Sequence, residues 1–177
     1  LEFRRVLFRS ERAQEFCLEM SQKFAKFGTK ISYAKTTREA IENADIITTV
    51  TTSKMPVIDG QYVKKGAHIN AVGSYTPLMQ EIDEYTIKNV DKVFVDSKDA
   101  VLSESGDLII PINKGTIDKS RINGEIGEVL SGKIEGRKND SEITIYKTVG
   151  IAVMDVVTAY DIYNCALKMN KGIVIDI

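Results

Sequence analysis

A chain of 177 residues is long enough for one domain of ordinary size, or one domain with an appendage. Charged residues at 28% and hydrophobic residues at 43% give the balance of a soluble globular protein, not of a disordered or membrane one. A formal net charge of -1 offers no electrostatic case for nucleic acid or an anionic membrane as partner, and no apolar run approaches the roughly 20 residues of a membrane helix.

The first stretch, 1–10 (LEFRRVLFRS), is too short and too charged for a secretion signal. It reads either as a strand at Val6–Phe8 or as the translation of a sequencing-adapter tail, and the second reading makes 1–10 a non-native leader. Arg9 lies where a cofactor-selecting residue could sit, so it is not used to choose between NAD and NADP.

Ser10 is a cap for a helix from Glu11, with Ala13, Phe16, Cys17, Met20, Phe24 and Phe27 at helical spacing and Gly28 as the stop. Lys30–Ala34 reads as a short strand. Thr36 and Glu39 have capping-box spacing and open a helix that ends near Ala44. Asp45–Thr52 is β-branched and nearly continuous, the pattern of a strand buried on both faces. Val57–Lys65 is a connection, Ala67–Val72 a strand, Gly73–Pro77 a loop and Glu81–Lys88 a helix. Lys92–Asp96 is a strand, and Asp99–Ser103 begins a short helix.

Beyond Gly115 the spacing of Ile122, Ile126, Val129 and Leu130 predicts one helical face, stopped by Gly132. Glu142–Tyr146 is a strand. Gly150 opens a long helix to about Asn170. Its polar residues form one stripe (Asp155, Thr158, Asp161, Asn164 and Lys168), so the helix is expected to be largely buried. Ile173–Ile177 reads as a last strand that wants a sheet elsewhere. Cys17 and Cys165 both lie in apolar helical patterns and are expected to be buried, reduced thiols of a cytoplasmic protein. With one histidine, no CxxC and no HxxxH, no metal site is expected.

Short apolar strands alternating with helices imply an α/β, Rossmann-type, doubly wound parallel sheet. In such sheets ligands bind beyond the carboxyl ends of the strands. That singles out the loops at Thr51-Thr52-Ser53 and Gly73–Pro77. A dinucleotide fold also needs a glycine turn after its first strand, and no GxGxxG or GxGxxA occurs here. The first strand and its turn are expected to precede Ser10. On topology alone a response-regulator-like or transferase domain remains open.

Specific strings narrow the choice. They are ADIITTVTTS (Ala44–Ser53), GAHINAVG (Gly66–Gly73), PLMQEI (Pro77–Ile82), Val95-Asp96, ESGD (Glu104–Asp107), GEIGEVLSG (Gly124–Gly132), Gly136-Arg137 and EITIYKTVGIAVMD (Glu142–Asp155). In this order they resemble the ornithine cyclodeaminase / mu-crystallin family from about Ser10 to the end. The first string alone also occurs in shikimate dehydrogenases and glutamyl-tRNA reductases; the long helix after TVG speaks against the former.

The resemblance implies a cofactor, NAD or NADP, and places residues around it. The loop after the ADII strand passes the cofactor, which points to Thr51, Thr52 and Ser53. The AVG strand end approaches the nicotinamide, so His68, Asn70, Ala71, Val72 and Gly73 line or support it. A lone histidine entering a strand is nonetheless more often structural. Thr148, Val149 and Gly150 match the family segment near the nicotinamide, and the helix opened by Gly150 favours a negative group at its N-terminus. Lys147 reads more simply as a solvated lysine at a strand end. Glu104 and Asp107 form an acidic pair suited to a substrate amine or to surface and capping roles.

In cyclodeaminases proper the loop after AVG carries an aspartate; here Tyr75 stands at that position. With a reference pKa of roughly 10, tyrosine is a poor general base at neutral pH. The implied activity is therefore hydride transfer between NAD(P)H and an imine or amino acid. A non-catalytic NADPH or small-ligand carrier and a true cyclodeaminase are the alternatives. Tyr75 or Ser74 faces the substrate in this reading, and no catalytic residue is assigned. The family's substrate-binding arginine and lysines lie in an N-terminal part not seen here. The implied organisation is a leader at 1–10, a partial NAD(P)-binding domain at 11–149, and a helix and strand at 150–177 that return to an absent substrate domain, which also forms a homodimer. The fragment alone is expected to be inactive.

Overall fold

The computed structural model describes residues 2–5, 10–173 and 175. Its elements follow the chain as β1 (Glu2–Arg5), α1 (Ser10–Lys23), β2 (Lys30–Tyr33), α2 (Thr37–Ile41), β3 (Ile46–Thr49), β4 (His68–Ala71), α3 (Glu84–Asn89), β5 (Lys92–Val95), α4 (Lys98–Glu104), α5 (Gly106–Asn113), β6 (Gly124–Glu125), α6 (Ile126–Leu130), β7 (Thr144–Lys147) and α7 (Ala152–Lys168). The described strands form a five-stranded sheet in the order β3-β4-β7-β5-β6 and a separate pair, β1-β2. All the pairings are parallel. This is the expected α/β architecture, with the last strand, β7, at the centre of the larger sheet.

Register decides which side chains share a face. Ile47, Ile69, Ile145 and Val93 lie opposite one another, and so do Thr49, Ala71, Lys147 and Val95. Both rows point to the buried face, where Ile82, Ile87 and Leu108 from the neighbouring loop and from α3 and α5 complete the core. The intervening row, Thr48, Asn70, Tyr146 and Phe94, points to the other face. There β3 departs from its expected burial on both faces: Ile46 is 67% exposed while Ile47 and Thr49 are buried. Continuity of apolar and β-branched residues predicted burial on both faces, but β3 is an edge strand among the described residues.

On this half-covered face a polar ladder crosses three strands. His68 Nδ1 lies 2.7 Å from Thr144 Oγ1, His68 Nε2 lies 3.2 Å from Asn70 Oδ1, and Asn70 Nδ2 donates to Thr48 Oγ1 at 3.4 Å. Burial lowers the His68 pKa from its ordinary 6.5, helped by the charge of Arg137 and opposed by the bond to Asn70. A lowered pKa means the unfolded chain binds the proton more readily. The stability from neutral His68 is thus full above the ordinary value and is lost as pH falls through the folded one. Urea midpoints should therefore decline as pH is lowered below about 6.5, and His68→Gln should flatten that part of the curve. A slope that survives the substitution assigns the effect to other groups.

Local signals placed several boundaries well. Gly28 stops the α1 region with φ 63°. Thr36 Oγ1 accepts from the Glu39 N–H at 3.1 Å, and the Glu39 carboxylate reaches back to the Lys35 N–H. Others moved. The helix expected from Glu81 starts at Glu84, because Asp83 is in extended backbone and caps the Thr86 N–H at 2.6 Å. The helical face expected from Ile122 is split. Gly124–Glu125 adds to β5 as an edge strand and only Ile126–Leu130 is helical. A side chain at Gly124 would meet the tip of the Ile134 side chain, which would have to turn aside to admit it. Helix α5 was not foreseen, since Pro111 breaks its helical pattern.

The largest departure is α7. Its composition predicted burial, yet none of its residues is buried, and Val156, Tyr160 and Ile162 are all more than 60% exposed. An apolar composition states that a helix needs a cover, and no described element supplies one. Cys165 rides on this helix and is exposed, against expectation, whereas Cys17 is buried as expected. The strand reading of Val6–Phe8 lies outside the described residues. So does most of the strand reading of 173–177, of which only Ile173 and Ile175 are described, both exposed.

Candidate functional site

The strands of the larger sheet end level with one another, at the row Thr49, Ala71, Lys147 and Val95. The next residues keep the alignment. Val72 N–H donates to Thr49 O at 2.9 Å, Thr148 N–H to Ala71 O at 3.1 Å, and Asp96 N–H to Lys147 O at 3.3 Å. One edge therefore carries Thr51, Thr52 and Ser53 after β3, Ala71, Val72 and Gly73 at the end of β4, and Thr148, Val149 and Gly150 after β7. Two of the residues singled out in the sequence are not at this edge. His68 begins β4, roughly 16 Å from Gly73 at the rise of an extended strand, and Asn70 lies mid-strand in the polar ladder.

Buried carboxylates hold these loops from beneath. Glu81 is fully buried. Its Oε1 accepts from Thr51 N–H at 2.5 Å, and its Oε2 accepts from Gly73 N–H at 2.7 Å and Thr49 Oγ1 at 2.9 Å. Asp96, also buried, does the same for the loop after β7. Its Oδ2 accepts from Thr148 Oγ1 at 2.6 Å and from the N–H groups of Val149 and Gly150, both at 2.9 Å. The negative group expected near Gly150 is thus internal, and α7 begins two residues later, at Ala152. With these amides occupied, the exposed polar side chains that the loops offer include the hydroxyls of Thr51 and Thr52.

Lys147, expected to be solvated, is 1% exposed. It points to the buried face of the central strand, so no solvent reaches its ammonium. Its Nζ lies 3.4 Å from Oδ2 of Asp107, which is equally buried, and neither atom has a hydrogen-bond partner among the described residues. The other oxygen of Asp107 accepts from the N–H groups of Glu81 at 2.7 Å and Ile82 at 2.9 Å. Desolvation lowers the Lys147 pKa, opposed by the charges of Asp107, Glu81 and Asp96. Desolvation also raises the Asp107 pKa, opposed first by Lys147.

Glu104 and Asp107 do not act as a pair. Glu104 ends α4 in solvent, while Asp107 starts α5 inside. Ser74 is fully buried, and its hydroxyl donates to Met79 O at 2.7 Å, so it does not face a substrate. The inward turn that follows Gly73 is the reason. Tyr75 is half exposed at the edge. The spacing rules used on the sequence had no means of finding Glu81, Asp96, Lys147 and Asp107 as a network. Glu81, Asp96 and Lys147 show in the sequence as charged residues at or near the ends of otherwise apolar strings, MQEI, VFVD and TIYK, and Asp107 as one of the acidic pair with Glu104. Among the described residues, no group of three or more His, Cys, Asp or Glu is placed to hold a metal ion, and no helix is long and apolar enough to cross a membrane.

A model of the ornithine cyclodeaminase/mu-crystallin family matches residues 2–170. Delta(1)-pyrroline-2-carboxylate reductase of Bacillus cereus is 44% identical over 147 residues, covering 83% of this chain and 45% of the relative. The structure of Thermococcus litoralis Delta(1)-pyrroline-2-carboxylate reductase in complex with NADH and L-proline superposes with a TM-score of 0.86 at 39% identity, over 95% of this chain and 51% of that one. An archaeal alanine dehydrogenase dimer with bound NAD superposes with a TM-score of 0.84 at 32% identity, over 99% and 52%. The chain spans about half the length of these relatives.

Proposed function

The chain belongs to the ornithine cyclodeaminase/mu-crystallin family, and we propose that the whole protein transfers a hydride between NAD(P)H and an imine or amino acid. The observation that carries this reading is the convergence of three loops, 51–53, 71–73 and 148–150, on one sheet edge, in a chain 44% identical to an imine reductase. Bound nicotinamide would supply or accept the hydride. The part of this chain is to bind and orient. Thr51 and Thr52 offer hydroxyls to ribose or carboxamide oxygens, and Ala71–Gly73 and Thr148–Gly150 flank the ring. Tyr75, at the family's aspartate position, favours reduction or oxidation over ring-closing deamination.

In this proposal residues 11–149 form part of the dinucleotide domain. Residues 150–177 return to a substrate and dimerisation domain, which would cover the apolar faces of α7. A homodimer agrees with the dimeric archaeal relative. A cytoplasmic enzyme agrees with the composition and with cysteine usage. The test follows NADH absorbance when the whole protein meets a cyclic ketimine such as Delta(1)-pyrroline-2-carboxylate. Saturable, substrate-dependent oxidation is expected, and its absence across cyclic and linear imines overturns the proposal. The isolated chain should oxidise none and should quench NADH only weakly. Tight, specific binding would show the fragment to be self-sufficient.

A further inference from the structure

We infer that Glu81 is a positioning residue for the cofactor: its buried carboxylate ties the loop after β3 to the loop after β4 and so sets the separation across which the nucleotide is held. The inference rests on the reading of the site given above. Thr51 and Gly73 belong to different loops, 22 positions apart in sequence. Glu81 joins them by accepting both N–H groups, at 2.5 and 2.7 Å, together with the Thr49 hydroxyl at 2.9 Å. The carboxylate is wholly out of water. No mobile solvent molecule competes for these bonds.

The chemistry requires an acid. Two inward N–H donors face two different oxygens of Glu81. Glutamine would turn its NH2 toward one of them, leaving two donors in contact and one loop released. Aspartate would keep the charge but fall short by a methylene. Glu81 is itself fixed at its own backbone: its N–H donates to Asp107 Oδ1 at 2.7 Å, and Asp107 sits 3.4 Å from the Lys147 ammonium. The chain of support therefore runs from Lys147 through Asp107 to the Glu81 peptide, and from the Glu81 side chain to both loops. None of these groups reaches the surface, so Glu81 acts through the loops and not by touching the ligand.

The test compares wild-type whole protein with Glu81→Gln, reading NADH affinity by fluorescence titration, the KM of the imine, and amide hydrogen exchange without ligand. Losing a hydrogen bond to a buried charge corresponds to roughly tenfold to hundredfold in an equilibrium. NADH affinity should fall by about that factor, with the imine KM changed less than about threefold. Amide exchange should quicken at Thr51 and Gly73 but not at Ile69 or Val93 in the core. Unchanged NADH affinity in folded Glu81→Gln, or exchange that rises uniformly, overturns the positioning role. If Glu81→Gln does not fold, Thr49→Val decides. It removes one donor to Glu81 and no backbone bond, and should weaken NADH in the same direction by a smaller factor; unchanged affinity there also overturns the role. Wild-type protein that binds no NADH overturns the reading of the site, and this role with it. Wild type that binds NADH no better than Glu81→Gln overturns this role alone.

Discussion

Gly73→Ala should cost about 3 kcal/mol or more of folding stability, at or beyond the upper end of overpacking effects. A Cβ at this position would overlap the backbone O and N of Thr51 and stand 2.6 Å from Glu81 Oε1. Two of these atoms are backbone, and the third is the carboxylate that holds both loops. None can yield without breaking the bonds from Thr51 and Gly73 to Glu81. The glycine is required by this close approach and not by a left-handed turn. The resemblance places Gly73 beside the nicotinamide; in the structure its Cβ side is taken by the neighbouring loop. Gly127→Ala is the control. It lies in α6, where an added Cβ would meet nothing within 4 Å, and alanine suits a helix better by roughly 0.5–1 kcal/mol. Urea midpoints of the two variants should move in opposite directions. A Gly73→Ala variant that melts with the wild type refutes the account of how these loops pack.

Lys147→Met should destabilise by about 3–5 kcal/mol, because it leaves Asp107 buried without its cation. Methionine fills most of the space, so the loss is electrostatic and not a cavity. The pH dependence carries the diagnosis. The Asp107 pKa is raised in the folded state by desolvation, and Lys147 is the first group opposing that rise. For a raised acid, the favourable contribution is full below the unfolded pKa and is lost as pH rises through the folded one. Removing Lys147 raises the folded pKa further. The deficit of Lys147→Met should therefore be largest at neutral pH and shrink in mild acid, where Asp107 takes up a proton. Asp107→Asn added to Lys147→Met should recover part of the loss. Asparagine keeps an oxygen for the Glu81 and Ile82 N–H groups and carries no charge. A Lys147→Met variant within about 1 kcal/mol of wild type at neutral pH would mean that the pair is neutral or that water reaches it.

The two predictions and the role given to Glu81 share one origin. The candidate site is a set of loops whose inward groups are used up by buried acids, Glu81 for the loops after β3 and β4 and Asp96 for the loop after β7. The exposed polar side chains that these loops offer include the hydroxyls of Thr51 and Thr52.

The alternation of strands and helices, the parallel α/β class, the family, and the loops that meet at the sheet edge were all legible in the linear chain. Each of these is written locally: β-branched runs, a cap at Thr36, a glycine stop at Gly28, and strings such as ADIITTVTTS. Tertiary structure alone decided the fate of the charged residues and of the apolar helix. Lys147 looked like a strand-end lysine, and only the strand order, with β7 between β4 and β5, places it inside against Asp107. Glu81 looked like the start of a helix, and only the pairing of β3 with β4 brings Thr51 and Gly73 to its two oxygens. Helix α7 announced an apolar face but not what covers it, and the described residues leave it bare. Periodicity records which face of an element avoids water. The partner it meets is set by pairings between segments far apart in the chain, which no local pattern encodes.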